Sequence, residues 1–196
     1  MRYAKGHKEE TRRRILDAAG RRFKKDGIDG TGITALMVDA GLTNGAFYAH
    51  FSSKDDLVAR AVADQLKTQR DGLDALPFGR DGVEQFVRHY LSAEHRDNPA
   101  LGCPSAALLD EIGRCTDDTK QAYTEGLAAV MDAIGARLST DGSQLSRPAM
   151  LAVFAMMVGA VQLSRALADR SLAGELLERA AADALRLLDN TGAEEG

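Results

Sequence analysis

The densest group of side chains suited to a polyanion lies in residues 43–54, TNGAFYAHFSSK. Tyr48, His50 and Lys54 carry a phenol, an imidazole and an ammonium, each able to donate to a phosphate oxygen. Asn44 has the paired donor and acceptor that fit adenine N6 and N7, and the Ala46 methyl can meet a thymine methyl. Thr43 adds a hydroxyl. Gly45 reads nothing itself but lets the backbone come close. Other chemistry is sparse. His89 and His95 fall on one expected helix without a well-spaced carboxylate. There is no phosphate-cradling glycine loop, no metal-ligand spacing and no nucleophile with a paired base. No catalytic residue, metal site or cofactor is therefore assigned. Cys103 and Cys115 form no CxxC pair and suggest neither a disulfide framework nor a zinc site.

The elements that must position the 43–54 group are two short helices and a turn. Ile33, Leu36, Met37 and Ala40 recur at helical spacing and define one apolar face. Gly41 suits a left-handed turn, and Thr43 is an N-cap for the second helix. Ala46, Phe47 and Phe51 bracket that helix with Phe47 inward, leaving Thr43, Asn44, Tyr48 and His50 outward. This is the helix-turn-helix pattern that lays its second helix in a DNA major groove. Upstream, Glu9 to Lys25 reads as a helix with a core stripe of Ile15, Leu16, Ala19 and Phe23, ended by Gly27 as C-cap. Thr31 is the expected N-cap of the helix that starts near Gly32 or Ile33. Residues 1–8 read as a mobile basic arm.

The run AGLTNGAFYAHFSSKDDL resembles the DNA-binding signature of the TetR family of transcriptional regulators, through Ala40, Gly41, Gly45, Tyr48, His50, Phe51, Lys54 and Leu57. A turn glycine, then Tyr-x-His-Phe, then a lysine three residues on is a specific order. The resemblance covers residues 10–60. It implies that the first helix supports the helix-turn-helix and touches phosphate at its N-terminal end, a role that falls to Arg12 and Arg13. The family usually carries a second threonine and then a residue such as arginine ahead of the next helix. Gly32 and Thr34 stand there instead, which removes a bidentate reader of guanine. Thr31 and Thr34 are left as the shorter candidate contacts. Met37 replaces a common small residue and is expected to pack against the first helix.

Net charge has meaning only when divided. Residues 1–54 hold 11 Lys/Arg and 6 Asp/Glu, giving +5; residues 55–196 hold 14 and 23, giving −9, for the total of −4. A positive head on a negative body is the asymmetry of a nucleic-acid-binding head on a ligand or partner domain. The expected organisation is all-α: a helix-turn-helix domain over residues 1–54, a helical effector-binding and dimerisation domain over residues 55–190, and a disordered tail at 191–196. The longest apolar run, Ala149–Leu163, is too short to span a bilayer, and no secretory leader precedes the head, so a soluble cytoplasmic protein without a membrane partner is expected.

In the body, helices are expected from Asp55 to Gly72, Val83 to His95, Ser105 to Arg114, Thr116 to Leu138, Pro148 to Ala168 and Leu172 to Leu188, with a polar loop after Leu138. Phe86, Tyr90, Cys103, Leu108, Glu111, Tyr123, Met131, Phe154, Met157 and Gln162 are the candidates for lining a small-molecule cavity. The resemblance implies that such a molecule releases the DNA. Cys103, in a Gly-Cys-Pro break, is expected to be accessible and is the alternative sensor. The last two helices, rich in Ala and Leu, fit a homodimer, as a two-fold DNA operator requires. The competing readings are a small-molecule-converting enzyme using the same cavity and an architectural DNA-binding protein without a ligand.

Overall fold

The computed structural model describes residues 2–138 and 146–190, and every regular element among them is helical. The head is α1 (Arg2–Asp26), α2 (Ile33–Asp39) and α3 (Asn44–Phe47). A long α4 (Lys54–Leu73) leads into the body. There α5 (Arg80–Tyr90) and α6 (Ala93–Asp97) are followed by a 3-10 turn at Pro99–Leu101 and by α7 (Pro104–Arg114). The long helices α8 (Asp117–Leu138), α9 (Arg147–Ala166) and α10 (Arg170–Asn190) complete it. The expected loop over residues 139–145 and the tail at 191–196 lie outside the described residues.

The ends of these helices arise from local chemistry. Ser53 caps α4, its hydroxyl accepting from Asp56 N at 3.0 Å, and Asp55 and Asp56 sit in the first turn, where the helix dipole favours them. Ser146 caps α9 in the same way, ahead of Pro148 in the first turn. Gly41, at φ +65°, makes the left-handed turn after α2.

Several boundaries differ from expectation. Helix α1 starts at Arg2, so the stretch read as a loose arm continues the first helix. Thr31 does not cap α2: Gly32 holds that position, while the Thr31 hydroxyl turns back to donate to Gly27 O at 2.6 Å. The expected Val83–His95 helix breaks at Leu91, and Ser92 caps a new short helix by accepting from His95 N. Helix α9 has 20 residues and a mean hydropathy high enough over that length to cross a membrane, longer than the apolar run suggested, with close to half of it buried inside the protein.

The buried apolar residues form one cluster from Ile15 in α1 to Leu185 in α10, so head and body share a core. Helix α4 bridges them, packing on α1 around Asp64 and Gln65 and more extensively on α8. That second contact is close because Gly126 faces Leu66: a Cβ at 126 would lie 2.6 Å from Leu66 Cδ1 and 2.8 Å from its Cβ. Arg165 ties α9 to α6 and α7 by donating to the carbonyls of Arg96, His95 and Ala106 at 2.7–3.0 Å.

Gly126→Val is expected to wedge α4 from α8 and destabilise the fold by about 1–3 kcal/mol. Gly113→Ala, in α7 where an added Cβ meets nothing within 4 Å, should leave stability unchanged or raise it by up to about 1 kcal/mol. Urea unfolding of the two variants checks the contrast.

Candidate nucleic-acid interface and internal cleft

The helix-turn-helix is held from behind by apolar packing and in front by arginines. Phe47 and Phe51 are fully buried and stack on each other at 5.7 Å. Leu36 and Met37 are fully buried beside them, and α2 packs on α1 as Met37 led us to expect. Arg14 of α1 donates to Ala40 O at 2.6 Å, pinning the turn, and Arg22 pairs with Asp39 at the end of α2 at 2.6 Å.

The outward face carries most of the expected contact residues. Thr34, Thr43, Asn44, Gly45 and Tyr48 are exposed, Ala46 partly so. Tyr48 is 71% exposed, its ring edge-on to Phe47. Asn44 Nδ2 donates to Thr34 Oγ1 at 3.0 Å, which brings the tips of α2 and α3 together. Lys54 is half-buried at the first turn of α4, with no carboxylate at ion-pair distance among the described residues. The Arg12 guanidinium sits 5.4 Å from the Phe51 ring centre. His50 is half-buried and its Nδ1 has no hydrogen-bond partner among the described residues. Burial lowers its pKa, and the Lys8 and Arg12 charges lower it further. A Cβ at Gly45 would meet nothing within 4 Å.

Two expected contact residues are engaged elsewhere. Thr31 is buried, its hydroxyl committed to Gly27 O. Arg13 pairs with Asp17 at 3.2 Å and with Asp64 of α4 at 3.0 Å, so its charge ties the head to the body.

In the body, a cleft of about 360 Å³ opens between α4, α5 and the turn ahead of α7. Leu73, Leu76, Phe86 and Leu101 give it apolar walls, and Lys24, Gln65, Gln69, Tyr90, His95 and Cys103 bring polar atoms. Of the residues expected around an effector, Phe86, Tyr90 and Cys103 are here. Met131, Phe154 and Met157 line a separate void of about 20 Å³, enough for roughly one water. Leu108 is plain core. The Tyr123 hydroxyl pairs with Ser105 Oγ at 2.9 Å, away from the cleft lining. Gln162 is exposed on α9. The Glu111 carboxylate accepts from the backbone N–H of Ile28 at 2.7 Å and Asp29 at 3.3 Å, joining α7 to the segment after α1. Cys103 was expected to be accessible and is instead only 6% exposed, its thiol donating to Gln69 Oε1 at 3.2 Å.

Lys24, Gln65, Gln69 and His95 were not singled out from sequence. His95 folds back so that Nδ1 bonds Tyr90 O at 2.6 Å while Nε2 accepts from Cys103 N–H at 3.0 Å, which requires a neutral ring protonated on Nδ1. Burial lowers its pKa in keeping with that. Lys24 is 7% exposed and donates to Gln65 Oε1 at 2.6 Å and Gly102 O at 2.8 Å. The one available signal was Gly20, a full turn earlier in an otherwise charged helix: a Cβ there would lie 2.5 Å from the Gln65 side chain. That close approach of α1 to α4 carries Lys24 inside.

Burial lowers the Lys24 pKa to about 8, the neighbouring Arg21 charge adding to it and Cys103 opposing. Below pH 8 the folded protein holds a buried ammonium. Between pH 8 and 10.5 the unfolded chain keeps that proton while the folded one gives it up, so this group's contribution to stability rises with pH. Relative to Lys24→Met, the wild-type protein is expected to gain up to about 3 kcal/mol over that window, read from urea titrations below pH 8 and near pH 10.5.

Comparison with known proteins agrees with the head. Residues 15–61 match the family model for bacterial regulatory proteins of the tetR family. The chain is similar to the HTH-type transcriptional regulator LmrA of Bacillus subtilis, 26% identical over 79% of this chain and 86% of that protein. It is also similar to the HTH-type transcriptional regulator TtgR of Pseudomonas putida, 37% identical over 43% of this chain and 40% of TtgR. In fold it resembles the reduced form of E. coli NemR, with a TM-score of 0.76 and 20% identity over 91% of this chain and 97% of NemR. The exposed tip of α2 and α3, the signature residues that build it and these matches lead to one conclusion: the head is a DNA-binding, helix-turn-helix domain of the TetR family, and the chain is similar over most of its length to transcriptional regulators of that kind.

Proposed function

We propose that this regulator is a repressor that binds a two-fold DNA operator as a homodimer and lets go when a small molecule enters the cleft. The observation that carries the reading is the tip of the head. A tyrosine 71% exposed, beside Asn44, Thr34 and Thr43, has most of its ring in solvent and is free to meet a partner outside the protein. Residues 1–54 form the head, residues 55–190 the effector and dimer body, and a protein acting on chromosomal DNA works in the cytoplasm. Tyr48, His50, Lys54 and Arg12 position phosphates; Asn44, Thr43, Thr34 and Ala46 face base edges. Arg13 and Thr31 contribute by holding the head's shape.

Dimerisation is supported by α9. Leu151, Ala155, Gly159 and Leu163 recur every four residues on its exposed side, an apolar stripe with small residues at its centre. Small residues let a second helix approach closely, and a second copy of the chain offers the same stripe. The outer side of α10 contributes Leu172 at one end. The ligand acts by population shift: it favours a state in which the two heads are wrongly spaced for major grooves roughly 34–36 Å apart. Covalent modification of Cys103 is the second reading, favoured by its place on the cleft wall. The hydrogen-bonded burial of its thiol favours the reversible ligand.

An anisotropy titration with DNA flanking the gene, near physiological salt and with nonspecific competitor, tests the reading. Tyr48→Ala is expected to weaken binding at all sequences alike, and Asn44→Ala to cost about 1–3 kcal/mol at the preferred site while relaxing its sequence preference. Binding that competitor removes equally in wild type and variants would mean electrostatic attraction alone. Gly159→Glu, at a position where a Cβ meets nothing within 4 Å, should leave the helical signal intact, give a monomer in sedimentation and lose operator binding. A dimer that survives this change would place the interface elsewhere.

A further inference from the structure

We propose that the cleft between α4 and α5 binds an amphipathic small molecule bearing a single carboxylate, received by the Lys24 ammonium and the Tyr90 hydroxyl. The inference rests on the ligand-responsive reading above and names the class of ligand.

Charge is the first argument. Residues 55–196 carry 23 acidic against 14 basic side chains, yet no aspartate or glutamate lines this cleft. Lys24 has no carboxylate partner among the described residues; its ammonium rests on an amide oxygen and a backbone carbonyl. Arg165, behind the wall, donates to three backbone carbonyls. Arg165 has Asp97 as a neighbouring countercharge, but Lys24 has none, and its part-buried ammonium leaves a positive potential in the cleft that an anion would relieve.

Hydrogen-bond polarity is the second. Around Lys24 the acceptors are taken: Gln65 Oε1 and Gly102 O by Lys24 itself, Gln69 Oε1 by the Cys103 thiol, His95 Nε2 by Cys103 N–H; Gln85 and His89 line the far wall on α5. The groups left over donate. An ammonium has three N–H groups and Lys24 uses two. Gln65 and Gln69 keep their amide N–H groups. The Tyr90 hydroxyl, on a residue only 3% exposed, is enclosed beside the Cys103 thiol, which already donates to Gln69, and among the described residues it has no partner at good hydrogen-bond geometry. A buried hydroxyl without a partner is destabilising, and a bound acceptor would recover that loss.

One full positive charge balances a carboxylate, whereas a phosphate monoester would carry a second negative charge into a part-buried cleft with no further cation to meet it. Leu73, Leu76, Phe86 and Leu101 supply the apolar wall for the rest of the molecule.

The position of Lys24 also supplies the link to DNA. It stands at the last turn of α1 and holds that helix to Gly102, while Arg14 and Arg22 of the same helix hold the helix-turn-helix. A carboxylate that draws the ammonium into the cleft loosens α1 from the body at the end opposite its phosphate-facing residues.

The test uses the full chain without DNA, titrated by calorimetry with octanoate, phenylacetate and naphthalene-2-carboxylate and with the matching primary amides. At least one acid is expected to bind about 10- to 100-fold more tightly than its amide. Lys24→Met should abolish that preference while amide affinity stays. Tyr90→Phe, which keeps the ring, should cost the acid about tenfold and serves if Lys24→Met does not fold. Equal binding of acids and amides, a preference that survives in both variants, or no acid bound at about 1 mM would each overturn the inference. Operator binding of the unliganded protein is measured in parallel. Operator binding without carboxylate preference overturns the ligand class alone, whereas carboxylate binding without operator binding leaves the class standing and removes the repressor reading.

Discussion

The recognition element is four residues of α-helix, far too few to hold together without tertiary support. Its shape is therefore imposed from outside, and the rest of the head can be understood as what imposes it. Phe47 anchors it in the core, Phe51 stacks behind, and Arg14 fixes the turn that delivers the chain to Thr43. Each of these in turn needs α1 in place. Helix α1 needs the body, because Lys24, Arg13 and the segment after Gly27 are held by groups on α4, α7 and the loop before α7. A displacement of the body end of α1 thus has a short mechanical route to the tip of the head.

The basic run of α1 divides accordingly into two populations. Arg13, Arg14, Arg22 and Lys24 hold protein together, through carboxylates in two cases and through carbonyl and amide oxygens in the others. Arg12 and Lys8 remain for the field outside. Formal charge counted along the sequence overstates what DNA meets, since ion pairs such as Arg13 with Asp64 are already closed within the molecule.

The head was legible from sequence because its determinants are local. The spacing of Ile33, Leu36, Met37 and Ala40, a turn glycine and an inward Phe47 all act within about twenty residues, and the structure keeps each in its expected role. The cleft was not legible, because its walls come from α1, α4, α5, α6 and the turn before α7, which meet only in the folded chain. Of the ten body residues chosen as candidates, Phe86, Tyr90 and Cys103 reached the cleft; Met131, Phe154 and Met157 close the neighbouring core instead. Lys24 looked like one more surface lysine. The break at Leu91 lacks the proline or glycine that marks most interruptions, and only Ser92, poised to cap His95 N, hinted at it. Gln162 and Glu111 were placed at the cavity under the guidance of the family resemblance; Gln162 lies on an exposed helix face, and Glu111 is half-buried as a cap on the backbone N–H groups after α1.

Gly45 has an implication for descent. It stands on the exposed tip, in ordinary right-handed geometry, with open space where a side chain would be. Most positions that touch a partner also carry the fold, so that a change in preference is entangled with a loss of stability. Here the two are separable. Mutation can sample side chains of many sizes at position 45 while Phe47 and Arg14 keep the scaffold unchanged; under the proposed docking of this tip on DNA, lineages descended from this protein can diverge in the sequence they favour with little constraint from folding.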